Sequence, residues 1–119
     1  MRNERILLVD DDSDSMDMTT KSINIIGVKH GHQIIAKAYS INDVETLMEK
    51  GLKPTVAIID DRLPEPDGGE IVAKIIELYS PKTIIISFSA SDVTWGKENW
   101  SKARMNPGEL IQALTNIQH

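Results

Sequence analysis

No cysteine occurs among the 119 residues, which rules out a disulfide framework and any thiolate metal site. A chain without thiols fits a reducing cytoplasm. No run approaches the roughly 20 apolar residues needed to cross a bilayer, so no membrane partner is expected. Met1 to Arg5 leads straight into an apolar strand pattern, so no signal peptide is expected. Basic residues are the minority: 13 Lys and Arg against 18 Asp and Glu give a net charge of −5. A nucleic-acid-binding face, which needs clustered Lys and Arg, is therefore not expected. Internal repeats, linkers and low-complexity tracts are missing too. A soluble, cytoplasmic single domain over residues 1–119 is the reading these absences leave. A chain of this length can bury roughly two thirds of its extended surface.

What is present is alternation. Arg5 to Val9 reads as a strand buried on both faces, ending abruptly in aspartates. Ser13 or Asp14 can cap a helix running to about Gly27, with Met16, Thr20, Ile23 and Ile26 on one face. Gln33 to Ala38 reads as a second strand, and Ser40 opens a helix that turns Val44, Leu47 and Met48 inward before Gly51 ends it. Thr55 to Asp60 is a third buried strand that again stops on aspartate. Asp67 and its glycines lead into a helix carrying Ile71, Ile75 and Leu78, and Thr83 to Phe88 is a fourth strand. Asn106-Pro107-Gly108-Glu109 is a helix start, after which Leu110, Ala113, Leu114 and Ile117 face the core. Strand and helix in turn imply an α/β fold with a parallel sheet and helices on both faces.

In such sheets ligands gather at the carboxyl ends of the strands. Asp10, Asp11, Asp60 and the serines near residues 87–89 all fall at such ends. Three neighbouring carboxylates repel one another, and a hard divalent cation relieves the repulsion. An oxygen-only ligand set suits Mg²⁺. A carboxylate beside Mg²⁺ can act as a nucleophile toward phosphorus, with a lysine neutralising the transferring phosphoryl oxygens.

At these residues the chain resembles the receiver domains of two-component response regulators. ILLVDDD is similar to their first strand and acidic pair. IIDDRLPEPDGGE is similar to their phosphoacceptor strand and loop, with Asp60 four residues before Pro64 and Asp67-Gly68 following. The resemblance covers nearly the whole chain and implies a flavodoxin-like, doubly wound five-stranded parallel sheet in the order 2-1-3-4-5. It implies that Asp60 accepts the phosphoryl group and that Asp10, Asp11, Asp60 and the carbonyl of Arg62 hold Mg²⁺. It places a phosphoryl-binding hydroxyl at Ser89, with Ser87 as the alternative. A sensor histidine kinase or phosphotransfer protein would supply the phosphoryl group and a downstream protein would read it, with a dimer among the arrangements open to the domain. Such a domain assists its own phosphorylation and dephosphorylation and is not an enzyme in the turnover sense. It is expected either as a stand-alone receiver or as a piece of a larger protein.

The last third departs from the family. Receivers carry Lys-Pro after the fifth strand. Here Lys102-Ala103 stands at the right distance before the last helix, with Asn106-Pro107 as the alternative site. Lys102 leaves room between it and Ser89 for about one helical turn, Ser91 to Gly96, and a short strand, Glu98 to Ser101. The fourth helix is thus expected to be shortened, and Trp100, or else Trp95, stands for the family's switching aromatic. These departures motivate a rival, a pseudo-receiver that serves only as a protein-interaction module. A haloacid-dehalogenase-type phosphatase is a remoter one: Asp10 and Asp12 fit its DxDx[TV] motif, but Asp14 occupies the Thr/Val place. A calcium EF-hand fails because Lys21 sits where the bidentate Glu belongs. His30, His32 and His119 form no ligand set.

Overall fold

A computed structural model describes residues 3–61, 63, 67–102 and 104–118. The elements are β1 (Arg5–Val9), α1 (Ser13–Ile25), β2 (Gln33–Ala38), α2 (Ile41–Glu49), β3 (Val56–Ile59), α3 (Gly68–Tyr79), β4 (Ile84–Ser89), β5 (Glu98–Ser101) and α4 (Pro107–Thr115). All strand pairs are parallel, in the order β2-β1-β3-β4-β5. This is the order the family resemblance implies. β1 beyond Arg5, and β3 and β4 throughout, are buried because helices cover both of their faces. One face packs Ile6, Leu8, Ile58 and Ile86 against Met16 and Ile23 of α1 and Leu110, Ile111 and Leu114 of α4. The other packs Leu7, Val9, Ala57 and Ile59 against Val44 and Met48 of α2 and Val72, Ala73 and Ile76 of α3.

Several local signals hold. Ser40 caps α2 by accepting from the Asp43 amide, Gly51 ends it at φ 92°, and Asn106 and Glu109 form a reciprocal capping box on α4. Others need correction. The cap of α1 is Asp12, whose carboxylate accepts from the Asp14 amide, and not Ser13 or Asp14. A helix-starting aspartate one residue earlier satisfies the same free amides. α1 buries Met16, Thr19 and Ile23, leaving Thr20 and Ile26 half-buried. It stops at Ile25 and passes into a 3₁₀ turn over Gly27–His30, closed by Gly31 at φ 80°. In α3 the residues facing the sheet are Val72, Ala73 and Ile76, whereas Ile71 and Leu78 are 40% and 83% exposed. Ile75, from the expected stripe, is half-buried against the same core.

The largest correction lies between β4 and β5. Residues 90–97 contain no helical turn at all, so the expected shortened fourth helix is replaced by an irregular crossover. A parallel connection normally needs about a dozen residues or more. Here fewer suffice because β5 is short and pairs only with Ile86 to Ser89. Trp95 pins the crossover against Gly69 of α3, where an added methyl group would come within 2.7 Å of the indole ring.

His32, 2% exposed, ties the opposite end of the sheet to α4. Its Nδ1 accepts from the Glu4 amide at 3.2 Å, and its Nε2 lies 3.1 Å from the Thr115 hydroxyl. An amide only donates, so Nδ1 carries no proton and the neutral ring donates from Nε2. Burial holds the imidazole below its ordinary pKa, the Glu4 charge opposes that, and His30 adds to it. The folded state therefore takes up the proton less readily than the unfolded chain, and stability falls as pH drops below about 6.5. Urea midpoints at pH 7.5 and 5.5 should differ in the wild type, and the difference should shrink in His32→Gln. An equal shift in both proteins would assign the effect elsewhere.

Candidate functional site

β1 and β3 are neighbours, with Val9 paired to Ile59, so Asp10 and Asp60 leave the sheet side by side. The Asp60 amide donates to the Val9 carbonyl at 2.8 Å and the Asp10 amide to the Ala38 carbonyl at 3.0 Å, fixing where each side chain starts. One carboxylate oxygen each from Asp10, Asp11 and Asp60 lies within 4.8 Å of the others. Asp10 and Asp60 are buried, at 6% and 7% exposure, and Asp11 is exposed. The expectation that these strand ends bring the acids together is met.

Lys102 joins them from the end of β5, its amide donating to the Ser89 carbonyl at 3.0 Å. Its Nζ donates to Asp10 Oδ2 at 2.8 Å and stands 3.4 Å from Asp60 Oδ2. The ammonium also lies 5.7 Å from the centroid of the Phe88 ring. Asp10 Oδ1 accepts from the Asp12 amide at 3.0 Å, and Oδ2 accepts from the Ser15 hydroxyl at 2.6 Å. Burial raises the Asp10 pKa, but the hydrogen bonds from Lys102, Ser15 and the Asp12 amide, with the lysine charge, outweigh it. The net effect holds the carboxyl below the usual range. Asp10 is therefore ionised near neutrality, and Lys102 pairs with two of the three clustered carboxylates, Asp10 and Asp60. The surplus negative charge and the all-oxygen donor set fit a hard divalent cation.

The serines are placed differently. The register that pairs Ile59 with Ser87 sets Phe88 beside Asp60. Phe88 borders, with Asp10, Asp60 and Lys102, a small cleft of about 10 Å³. Strand alternation sends Ser87 and Ser89 to the other face. The Ser87 hydroxyl donates to Asn99 Oδ1 at 2.7 Å, and the Ser89 hydroxyl accepts from the Ser91 amide at 3.0 Å. Asn106, the alternative to Lys102, is occupied in capping α4. Trp100 points into the core beside Phe88 and Leu110, 8% exposed, its Nε1 donating to Glu98 at 3.0 Å. Arg62, Pro64, Ala103 and His119 lie outside the described residues. Sequence reasoning passed over Ser15, because a lone hydroxyl in an acidic stretch carries no spacing signal.

No protein-family model matches the sequence, and no curated protein matches it. Solved structures do match the fold. The signal receiver domain of the response regulator NarL from Mycobacterium tuberculosis gives a TM-score of 0.75 at 20% identity, over 96% of this chain and 94% of that one. The isolated receiver domain of RcsB from Salmonella enterica serovar Typhimurium, solved with phosphomimetic BeF3-, gives 0.76 at 18% identity, over 95% and 86%. A two-component response regulator of the LuxR family from Aurantimonas sp. SI85-9A1 gives 0.74 at 22% identity, over 95% and 83%. At such identities the likeness speaks for the fold, and the fold is that of response-regulator receiver domains.

Proposed function

We propose that this receiver-fold chain is a working phosphoacceptor, taking a phosphoryl group on Asp60 from a phosphohistidine of a sensor kinase or phosphotransfer protein. The observation that carries this reading is the meeting of Asp60 with Asp10, Asp11 and Lys102 at the ends of β1, β3 and β5. A domain used only for docking has no need of three crowded carboxylates, which cost repulsion. In the transfer, an Asp60 oxygen attacks phosphorus, the phosphorus–nitrogen bond to the donor imidazole breaks, and the electron pair leaves with that nitrogen. Lys102 offers N–H donors to the phosphoryl oxygens as charge spreads over them. Asp10 holds the lysine in place. A Mg²⁺ ion held by Asp11, Asp60 and Asp10, when bound, would draw further charge from those oxygens. The later return to the free carboxylate is hydrolysis of the acyl phosphate by water.

Intact mass after incubation with Mg²⁺ and acetyl phosphate tests this directly. The wild type should gain one phosphoryl group and Asp60→Asn none. A wild type that stays unmodified, while a known receiver is modified alongside it, would count for the phosphorylation-independent pseudo-receiver.

The cation can be tested without phosphate. Mg²⁺ at about ten times its Kd should stabilise the fold by about 1.4 kcal/mol, or about 6 °C in melting temperature. Asp11→Ala should remove that gain. A melting temperature indifferent to millimolar Mg²⁺ would speak against the metal site.

A further inference from the structure

The triad of Asp10, Lys102 and Ser15 has a fixed direction of hydrogen bonding. Ser15 Oγ lies 2.6 Å from Asp10 Oδ2 and 2.7 Å from Lys102 Nζ, and the lysine lies 2.8 Å from the same Asp10 oxygen. A hydroxyl has one proton and an ammonium accepts nothing. Ser15 therefore donates to the carboxylate and accepts from the lysine. Two of the three ammonium protons are thereby taken up by Asp10 and Ser15. The third is the one left for Asp60 Oδ2, at the longer distance of 3.4 Å.

We propose that Ser15 is a positioning residue for Lys102, holding the ammonium so that its remaining N–H is aimed at the group carried on Asp60. This role rests on the phosphoacceptor reading above. The two side chains differ in how firmly their backbones are set. Ser15 stands in the first turn of α1, which Asp12 caps. Lys102 sits just past the short edge strand β5. A long, flexible side chain on such a segment needs a second anchor to keep one direction. The helix provides it through the Ser15 hydroxyl.

The test is the rate of phosphoryl uptake from acetyl phosphate, at saturating Mg²⁺, in four proteins besides the wild type. Ser15→Ala should slow uptake about tenfold, as expected when a charge-neutralising group loses its aim. Ser15→Thr, which keeps the hydroxyl, should restore most of the rate. Lys102→Ala should be slow, and Ser15→Ala added to it should slow it no further, because the serine acts only through the lysine. Wild-type uptake with an unaffected Ser15→Ala would overturn the positioning role alone. So would a loss that persists on the Lys102→Ala background. No uptake by the wild type would overturn the phosphoacceptor reading and this role with it.

Discussion

Lys102→Ala should slow phosphoryl uptake from acetyl phosphate about a hundredfold, the scale on which removing one preorganised donor acts. The ammonium is the cation shared by Asp10 and Asp60, which are buried and face each other across the β1–β3 pair. Without it, the hydrogen bond and charge that hold the Asp10 carboxyl low are both lost, while the burial that raises it remains. Two measurements then move in opposite directions. Uptake slows, because charge on the transferring oxygens meets no N–H donor. Stabilisation by Mg²⁺ grows, because the carboxylates lose their competing cation. Uptake within threefold of wild type would show that the lysine has no part in the chemistry. A fall in both quantities would point to a damaged fold.

Trp100→Ala should cost about 3–5 kcal/mol, the usual range for removing a large aromatic from a core. Against a total of about 5–15 kcal/mol, that is a large share. β5 has four residues, Glu98–Ser101, and Trp100 is its one buried member. The indole packs with Phe88 and Leu110 and holds the edge strand to the sheet. Its removal should lower the urea midpoint by about 2 M, for a slope near 2 kcal/mol/M. Lys102 is two residues further on, so the variant should also take up phosphate more slowly under conditions where it is still folded. A cost below about 1 kcal/mol would mean that the Ser87–Asn99 hydrogen bond and the β4 ladder hold β5 without the indole.

The parts of the molecule that could be read from sequence are those fixed locally. Unbroken apolar runs ending in aspartate declared β1 and β3, and with them Asp10, Asp11 and Asp60. Ser40, Gly51 and the Asn106–Glu109 box act within a few residues of themselves, so their effect does not depend on the rest of the fold. What could not be read depends on neighbours distant in sequence. The choice between the Ile71/Leu78 and Val72/Ile76 stripes of α3 is made by the sheet on which the helix lands. Whether Phe88 or a serine stands beside Asp60 is decided by the register of β4 on β3, and a slip of one residue exchanges the two faces. Ser15 gains its partners only when the end of β5, far along the chain, reaches the first turn of α1. The missing fourth helix follows from the shortness of β5, which removes the distance a helix would have spanned.

That crossover has a mechanical consequence. A helix is cross-braced by its own hydrogen bonds and can be pushed from one end. Residues 90–97 are held instead by separate ties: the Ser91 amide to Ser89, the Gly96 amide to Asn99, the Lys97 amide to the Ile85 carbonyl, and Trp95 against Gly69. Eight residues in extended form reach about 27 Å, against a direct gap of about 11 Å between the strand ends they join. The segment is a moored cable, tied at several points along its length. It can carry tension from one strand to the next, but it cannot deliver thrust.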